Sequence, residues 1–237
     1  MAKNIVFMVS IEKAERAINQ QHYWSIKSWS DWCHKNGCEL VVLDQEILNP
    51  PQWNKLKIFD LLEASKIDYD RILYVDADTL VHPNMPNIFE ETESGYFYGV
   101  RNYGSMDWVI RSIENYSHHV FHGHKLEWEK YINTGVMLFD KSHKDFFDAI
   151  CQFNEELGVG KDQPVINFML DINDIPRKFL PYEYNAQDLN RFETFNNGLF
   201  MENGIQIAHF NCGIKPTVGH AVQHFYKVWK KRCENEL

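Results

Sequence analysis

The chain has 237 residues, 44 % hydrophobic and 24 % charged, enough to bury a sizeable core and too apolar for wholesale disorder. A formal charge of −9 runs against a nucleic-acid partner, since a nucleic-acid binder carries a basic face. No stretch reaches the ~20 apolar residues that cross a bilayer. Five cysteines without a CxxC pair argue against a disulfide framework and for a reducing compartment, so a soluble, cytoplasmic protein is expected.

From the amino end, Ile5 to Val9 is an unbroken apolar run, the pattern of a strand covered on both faces. Residues 22–35 predict a helix with Ile26, Trp29 and Cys33 on one face and Gly37 as its stop. Leu40 to Leu43 predicts a second buried strand, and Asn54 to Ser65 a helix carrying Leu56, Phe59, Leu61 and Leu62. Arg71 to Val75 predicts a third strand that runs directly into Asp76-Ala77-Asp78. This alternation predicts an α/β fold with a central, mostly parallel sheet flanked by helices.

Tyr96 to Val100 and Gly135 to Phe139 read as further strands, separated by an irregular stretch over residues 101–131. Ser142 with Asp145 predicts a capping box opening a helix whose core face is Phe146, Ile150, Phe153 and Leu157. Asp162 to Leu170 predicts a shorter helix, and Gly204 to Phe210 a last strand. Ala221 to Arg232 is amphipathic and cationic, and reads as a terminal helix with a solvated face, allowing at most peripheral membrane association. No linker, charge block or repeat divides the chain, so one domain over residues 1–237 is expected.

Ligands of open α/β sheets bind beyond the carboxyl ends of the strands, where Asp76 and Asp78 fall. Two carboxylates at i and i+2 in an extended segment project to one side and can share a hard divalent cation. The plainer alternative makes Asp76 a turn cap and Asp78 a solvated loop residue. Four histidines, His118, His119, His122 and His124, lack a carboxylate or cysteine to complete a zinc set. Tyr103, Trp108, Trp128 and Tyr131 fall in the irregular stretch, where aromatics either stack on sugar rings or pack the core. Gly158-Val159-Gly160-Lys161 lacks the glycine spacing and preceding strand of a phosphate loop.

Leu73-Tyr74-Val75-Asp76-Ala77-Asp78-Thr79-Leu80-Val81 closely resembles the Asp-x-Asp signature of GT-A fold glycosyltransferases in the form found in glycosyltransferase family 8, which includes glycogenin and bacterial lipopolysaccharide galactosyl- and glucosyltransferases. Four more segments agree in order. Asn54-Lys55-Leu56-Lys57-Ile58 resembles the helix whose basic residue reaches the donor, with Lys55 where an Arg is usual. Asn133-Thr134-Gly135 opens a segment similar to the strand beside the donor sugar. Asp162-Gln163 matches the Asp-Gln pair near the reacting centre, and His209 to Pro216 is similar to the late His…Gly…Lys-Pro motif. The resemblance spans about residues 4 to 217. It departs from the family pattern at Val9-Ser10-Ile11-Glu12, which lacks the usual Asp, and at Thr217, where an aromatic is usual.

The resemblance implies a single GT-A domain, with a nucleotide-binding half over about residues 1–100, an acceptor-side half over 101–220 and a C-terminal helix over 221–237. It implies transfer of a hexose from a nucleotide-diphosphate sugar, a UDP-sugar, to a hydroxyl of a glycan or glycoconjugate acceptor, with retention and with Mn²⁺ or Mg²⁺ as cofactor. The implied metal ligands are Asp76, Asp78 and His209. The implied donor-binding residues are Val9, Lys55, Asp76, Ala77, Asp78, Asn133, Gly135, Gly213 and Lys215, and the catalytic ones Asp162, Gln163 and Lys215.

Physical chemistry is consistent with those roles. A cation bridging both phosphates acts as a Lewis acid on the leaving group, and the Lys215 ammonium stabilises the charge that develops there. The residues alone also allow His209 as a core histidine, Asp162 as the N-cap of its helix, or Asp162 as general base of an inverting enzyme. A sugar nucleotidyltransferase would need a glycine-rich loop after the first strand, and a carbohydrate-binding protein would leave the carboxylates, His209 and Lys215 without a purpose.

Overall fold

The computed structural model describes residues 3–11, 21–102, 106–157, 161–187, 204–211 and 216–235. Among these residues eight strands are formed: β1 (Asn4–Val9), β2 (Glu39–Leu43), β3 (Arg71–Asp76), β4 (Thr79–Val81), β5 (Phe97–Arg101), β6 (Ile132–Asp140), β7 (Arg177–Phe179) and β8 (Ile207–His209). The α-helices are α1 (Gln21–Asn36), α2 (Ile58–Ala64), α3 (Met106–His119), α4 (Lys144–Leu157), α5 (Asp162–Ile172) and α6 (Pro216–Asn235). Among the described residues, no helix is long and apolar enough to cross a membrane.

Six strands pair in the order β2-β1-β3-β6-β5-β7, and β4 with β8 forms a separate two-stranded sheet. β6 is antiparallel to both its neighbours, and the other pairings in the large sheet are parallel. The period of two along each central strand divides the core. Ile5, Phe7, Ile72, Tyr74, Met137 and Phe139 face one layer with α2, α4 and α5, while Val6, Met8, Leu73, Val75, Val136 and Leu138 face the other with α1. This two-sided burial is why the strands read as unbroken apolar runs. A third cluster joins Leu80 and Ala208 to Val222, Phe225 and Trp229 of α6.

Several expectations need correction. The helix expected over residues 54–65 is a 3-10 helix over Pro51–Lys57 followed by α2. Asn54 explains the tighter turn: its amide donates to the carbonyls of Leu48 and Pro51 and accepts from the N–H groups of Ile47 and Leu48. The stretch over residues 101–131 is not irregular throughout, because it contains the 14-residue helix α3, which buries Val109 and Tyr116. Among the described aromatics of this stretch, Tyr131 is core, Trp108 packs against that core, and Trp128 is well exposed. α3 ends at His119 while His122 lies beyond it at φ 50°, so His118 and His122 do not share a helix face. The capping box is formed by Asp140 and His143 on the 3-10 turn before α4, not by Ser142 and Asp145. The last strand is only Ile207–His209, and the terminal helix is longer than expected. Tyr103 and the glycines of Gly158 to Gly160 lie outside the described residues.

Asp171, near the end of α5, ties that helix to its surroundings. It accepts from Arg177 at 2.7 Å and faces His124 Nε2 at 3.0 Å and Lys130 at 3.7 Å. Burial pushes its carboxyl up, but the hydrogen bond from His124 and the charges of Arg177 and Lys130 outweigh burial and hold it below the ordinary value. A carboxyl lowered on folding adds stability above its unfolded value, and that stability is lost as pH falls through the folded one. Asp171→Asn is therefore expected to cost about 1.5–3 kcal/mol at pH 7. The difference from wild type should shrink in strong acid. Urea melts at neutral and acid pH check this, and a difference independent of pH would contradict it.

Candidate active site

Strand order reverses around β1: β2 lies on one side, and β3, later in the chain, on the other. In such sheets the crevice for a ligand opens at the carboxyl ends of the two strands flanking the reversal. Register places Val9, the last residue of β1, beside Asp76, the last residue of β3. The tight turn that follows is fixed from both sides, since Thr79 Oγ1 donates to the Asp76 carbonyl at 2.7 Å and accepts from Trp29 Nε1 at 2.9 Å. Ala77 is buried beneath it.

The small sheet brings in His209. Thr79 pairs with His209 across β4 and β8, and the Phe210 N–H donates to the Asp78 carbonyl at 2.8 Å. Asp76, Asp78 and His209 thereby offer ligand atoms that all lie within 4.8 Å of one another. His209 Nε2 is 3.1 Å from Asp78 Oδ1 and 3.8 Å from Asp76 Oδ2. Desolvation pulls the His209 imidazole down, but Asp78 and then Asp76 outweigh it and leave it above its ordinary value. Burial likewise pushes the Asp78 carboxyl up, and His209 more than offsets this and holds it low.

The donor set fits a hard divalent cation. Asp78 Oδ1 is buried without a hydrogen-bond partner among the described residues, although Nε2 is close by. Donor atoms about 3 Å apart have the spacing of adjacent corners in an octahedron with bonds near 2.1 Å. Gly135 makes room for the cluster. A Cβ there would come within 2.3 Å of His209 Cε1 and 2.7 Å of Asp76 Oδ2. Among the described residues the His209 ring thus meets side chains, Asn185, Asp78 and Asp76, and not the backbone group that the core-histidine alternative required.

Lys55 lies next to this cluster, only 3 % exposed, on the 3-10 helix. Its Nζ is 2.8 Å from Asp162 Oδ2 and 3.4 Å from Asp76 Oδ1, donates to the Thr134 carbonyl, and sits 4.8 Å from the Tyr74 ring centroid. Burial lowers the ammonium, but Asp162 and Asp76 together prevail and leave it pushed up to about 12. Tyr74 O–H donates to Asp76 Oδ1 at 2.5 Å, and burial followed by that neighbouring carboxylate pushes the phenol well up.

Asp162 is the first residue of α5, not its N-cap; that position is Lys161. Its carboxylate is turned to Lys55 and accepts from Thr134 Oγ1, while Gln163 Oε1 accepts from the Thr134 N–H at 3.2 Å. Asn133 Oδ1 is occupied internally, accepting from the Gly135 N–H at 2.9 Å and from Asn185 Nδ2 at 3.1 Å. Asp76, Asp78, His209, Lys55, Asp162, Gln163, Asn133 and Gly135 are thus brought together by contacts, with Val9 and Ala77 adjoining. Gly213 and Lys215 lie outside the described residues.

Sequence reasoning missed three neighbours. Tyr74 stands two residues before Asp76 on the same strand face, a signal that was available. Thr134 lies inside a motif whose flanks drew attention. Asn185, buried and bonded to His209 Nδ1 at 2.8 Å, carries no local signal. Ser10 Oγ and His22 Nδ1 are 3.0 Å apart just beyond β1, where the usual Asp is missing.

Comparison with known proteins agrees with this geometry. The chain is 25 % identical over 177 residues to a glycogenin of Komagataella phaffii, a match covering 69 % of this chain and 36 % of that relative. It therefore spans about a third of the length of the curated relative. A crystal structure of a glycosyltransferase involved in glycosylation of the major capsid of PBCV-1 superposes with a TM-score of 0.63 at 11 % identity, covering 94 % of this chain and 98 % of the other. The apo-form glycosyltransferase GlyE of Streptococcus pneumoniae TIGR4 gives a TM-score of 0.53 at 16 % identity, over 100 % of this chain and 64 % of that one. At these identities the two structures establish the GT-A fold alone. The sequence model of glycosyl transferase family 8 matches residues 12–216, and with most of the chain so covered, the chain belongs to glycosyltransferase family 8.

Proposed function

We propose that the protein transfers a hexose from a UDP-sugar to a hydroxyl of a glycan or glycoconjugate acceptor, with Mn²⁺ or Mg²⁺ and with retention at the anomeric carbon. The observation that carries this reading is the Asp76–Asp78–His209 cluster at the carboxyl ends of β1 and β3. When bound, the cation would neutralise the diphosphate as its bond to the sugar breaks.

The chain's own residues supply the rest. The ends of β1 and β3, with Val9 and Ala77, line the nucleotide side, in the half of a single domain that spans about residues 1–100. Asn133 and Gly135 flank the sugar, and the acceptor approaches over residues 101–220. Lys55 holds Asp162 at the start of α5 and spreads one positive charge over two carboxylates. Asp162 and Gln163 then support the positive charge that develops on the sugar ring. Gly213 and Lys215 take the leaving phosphate.

Retention is the course the family resemblance supports, with the Asp162 carboxylate, paired to Lys55 Nζ through Oδ2 at 2.8 Å, as an electrostatic support for the sugar rather than a general base. The protein is taken as soluble and cytoplasmic, with no nucleic-acid partner and at most peripheral membrane contact.

A panel of nucleotide sugars, each with Mn²⁺, tests the reading by thermal stabilisation and by turnover. One UDP-sugar is expected to raise the melting temperature in a Mn²⁺-dependent manner and to be consumed. Proton NMR of the first product should show the donor's anomer. The opposite anomer would refute retention, and turnover of a sugar phosphate with a nucleoside triphosphate would favour nucleotidyl transfer instead.

A further inference from the structure

Asn185 is 0 % exposed and makes two side-chain hydrogen bonds inside the site. It ends the 3-10 turn Tyr182–Asn185, which is held against β8 by reciprocal backbone bonds: Ala186 N–H donates to Ile207, and His209 N–H donates to Ala186. This pairing sets Asn185 beside the His209 ring.

The atoms of the network can be identified one from the next. The Gly135 N–H can only donate, so the Asn133 atom facing it at 2.9 Å is the oxygen. That oxygen can only accept, so the Asn185 atom 3.1 Å away is the amide nitrogen. The other end of the Asn185 amide, 2.8 Å from His209 Nδ1, is then its oxygen, and Nδ1 must carry a proton. A neutral imidazole with Nδ1 protonated has its lone pair on Nε2, which faces Asp78 at 3.1 Å and Asp76 at 3.8 Å.

We infer that Asn185 is a positioning residue: it locks the His209 ring so that Nε2 is the atom offered to the cation. This inference rests on the metal reading above. Metal-bound histidines characteristically donate their second ring N–H to a carbonyl or carboxylate, and loss of such a partner weakens metal binding. An asparagine does two jobs here that no single-purpose acceptor could do. Its oxygen fixes the ring, and its nitrogen ties that oxygen's orientation to Asn133 and hence to the backbone of Gly135.

The test is Mn²⁺ titrated alone into the intact protein and followed by electron paramagnetic resonance, in wild type, Asp78→Ala, Asn185→Ala and Asn185→Asp. Asn185→Ala is expected to bind Mn²⁺ about 10–100-fold more weakly. Asn185→Asp keeps an acceptor for Nδ1–H but loses the bond to Asn133, so it should melt lower yet bind close to wild type. The ¹⁵N shifts of the His209 ring in Mg²⁺-saturated protein should report a protonated Nδ1 and a bare Nε2. A purely structural role predicts lowered melting in both variants with unchanged affinity in the folded protein. Wild-type affinity in Asn185→Ala overturns the inference, as does a protonated Nε2 in the Mg²⁺-loaded wild type. If Asn185→Ala does not fold, Asn185→Asp decides, and weak binding by it overturns the inference. Equal Mn²⁺ binding by wild type and Asp78→Ala overturns the metal reading itself.

Discussion

Gly135→Ala is expected to abolish Mn²⁺ binding and transfer, although it adds a single methyl group. The added carbon would lie 2.3 Å from His209 Cε1, 2.7 Å from Asp76 Oδ2 and 3.0 Å from Asn133 Oδ1. None of these atoms can retreat cheaply. The His209 ring is buried and held by Asn185, Asn133 Oδ1 is bonded to the Gly135 N–H itself, and Asp76 is fixed by Tyr74 and Lys55. Overpacking of this kind costs about 1–3 kcal/mol of stability. The effect on function should be far larger, because the two displaced groups, Asp76 and His209, are proposed ligands of the cation. Thermal melts and Mn²⁺ titration separate the two effects, and a folded Gly135→Ala protein with wild-type Mn²⁺ affinity would contradict the proposed site.

Lys55→Met should be the most destabilising change in the site. It removes a buried ammonium while leaving Asp162, Asp76 and the Thr134 carbonyl in place. Breaking a buried ion pair from one side costs about 3–5 kcal/mol, because the remaining charge stays desolvated. Neutralising the partner tests this directly: Lys55→Met with Asp162→Asn should be less destabilised than the sum of the two single changes. Neither variant should transfer sugar.

The sign of the pH dependence follows from the same contacts. Lys55 rises from 10.5 to about 12 on folding, so its contribution is fully present below 10.5 and is lost as pH rises through about 12. Lys55→Met should lack that alkaline loss in urea melts. Strict additivity in the double variant, or an unchanged alkaline limb, would show that the ion pairs do not couple as described.

How far the sequence discloses this molecule varies with the scale of the interaction. β1 and β3 were legible because two-sided burial leaves continuous apolar runs, and Asp76 with Asp78 because a strand end is where such a sheet binds ligands. His209 was visible only through its spacing from Lys215. The short strands β4, β7 and β8 have three residues each, too few for a period of two to stand out, although β4 and β8 bring His209 to Asp78. α3 was obscured because only Val109 and Tyr116 are fully buried along it. The 3-10 turn at Lys55 depends on the four bonds of the Asn54 side chain, and Asn185 acts through residues far away in the sequence. Local patterns carry the layers; the second ring of contacts around the site is tertiary.

The central claim is that glycosyl transfer runs through the cation site formed by Asp76, Asp78 and His209. The most direct measurement is turnover of the UDP-sugar found by the donor panel, in wild type and Asp78→Ala, with Mn²⁺ and after chelation by EDTA. Wild type is expected to be active only with the metal, to recover when Mn²⁺ is restored after EDTA, and Asp78→Ala to be inactive in both conditions. Full turnover in EDTA, or by Asp78→Ala with Mn²⁺, would contradict the account.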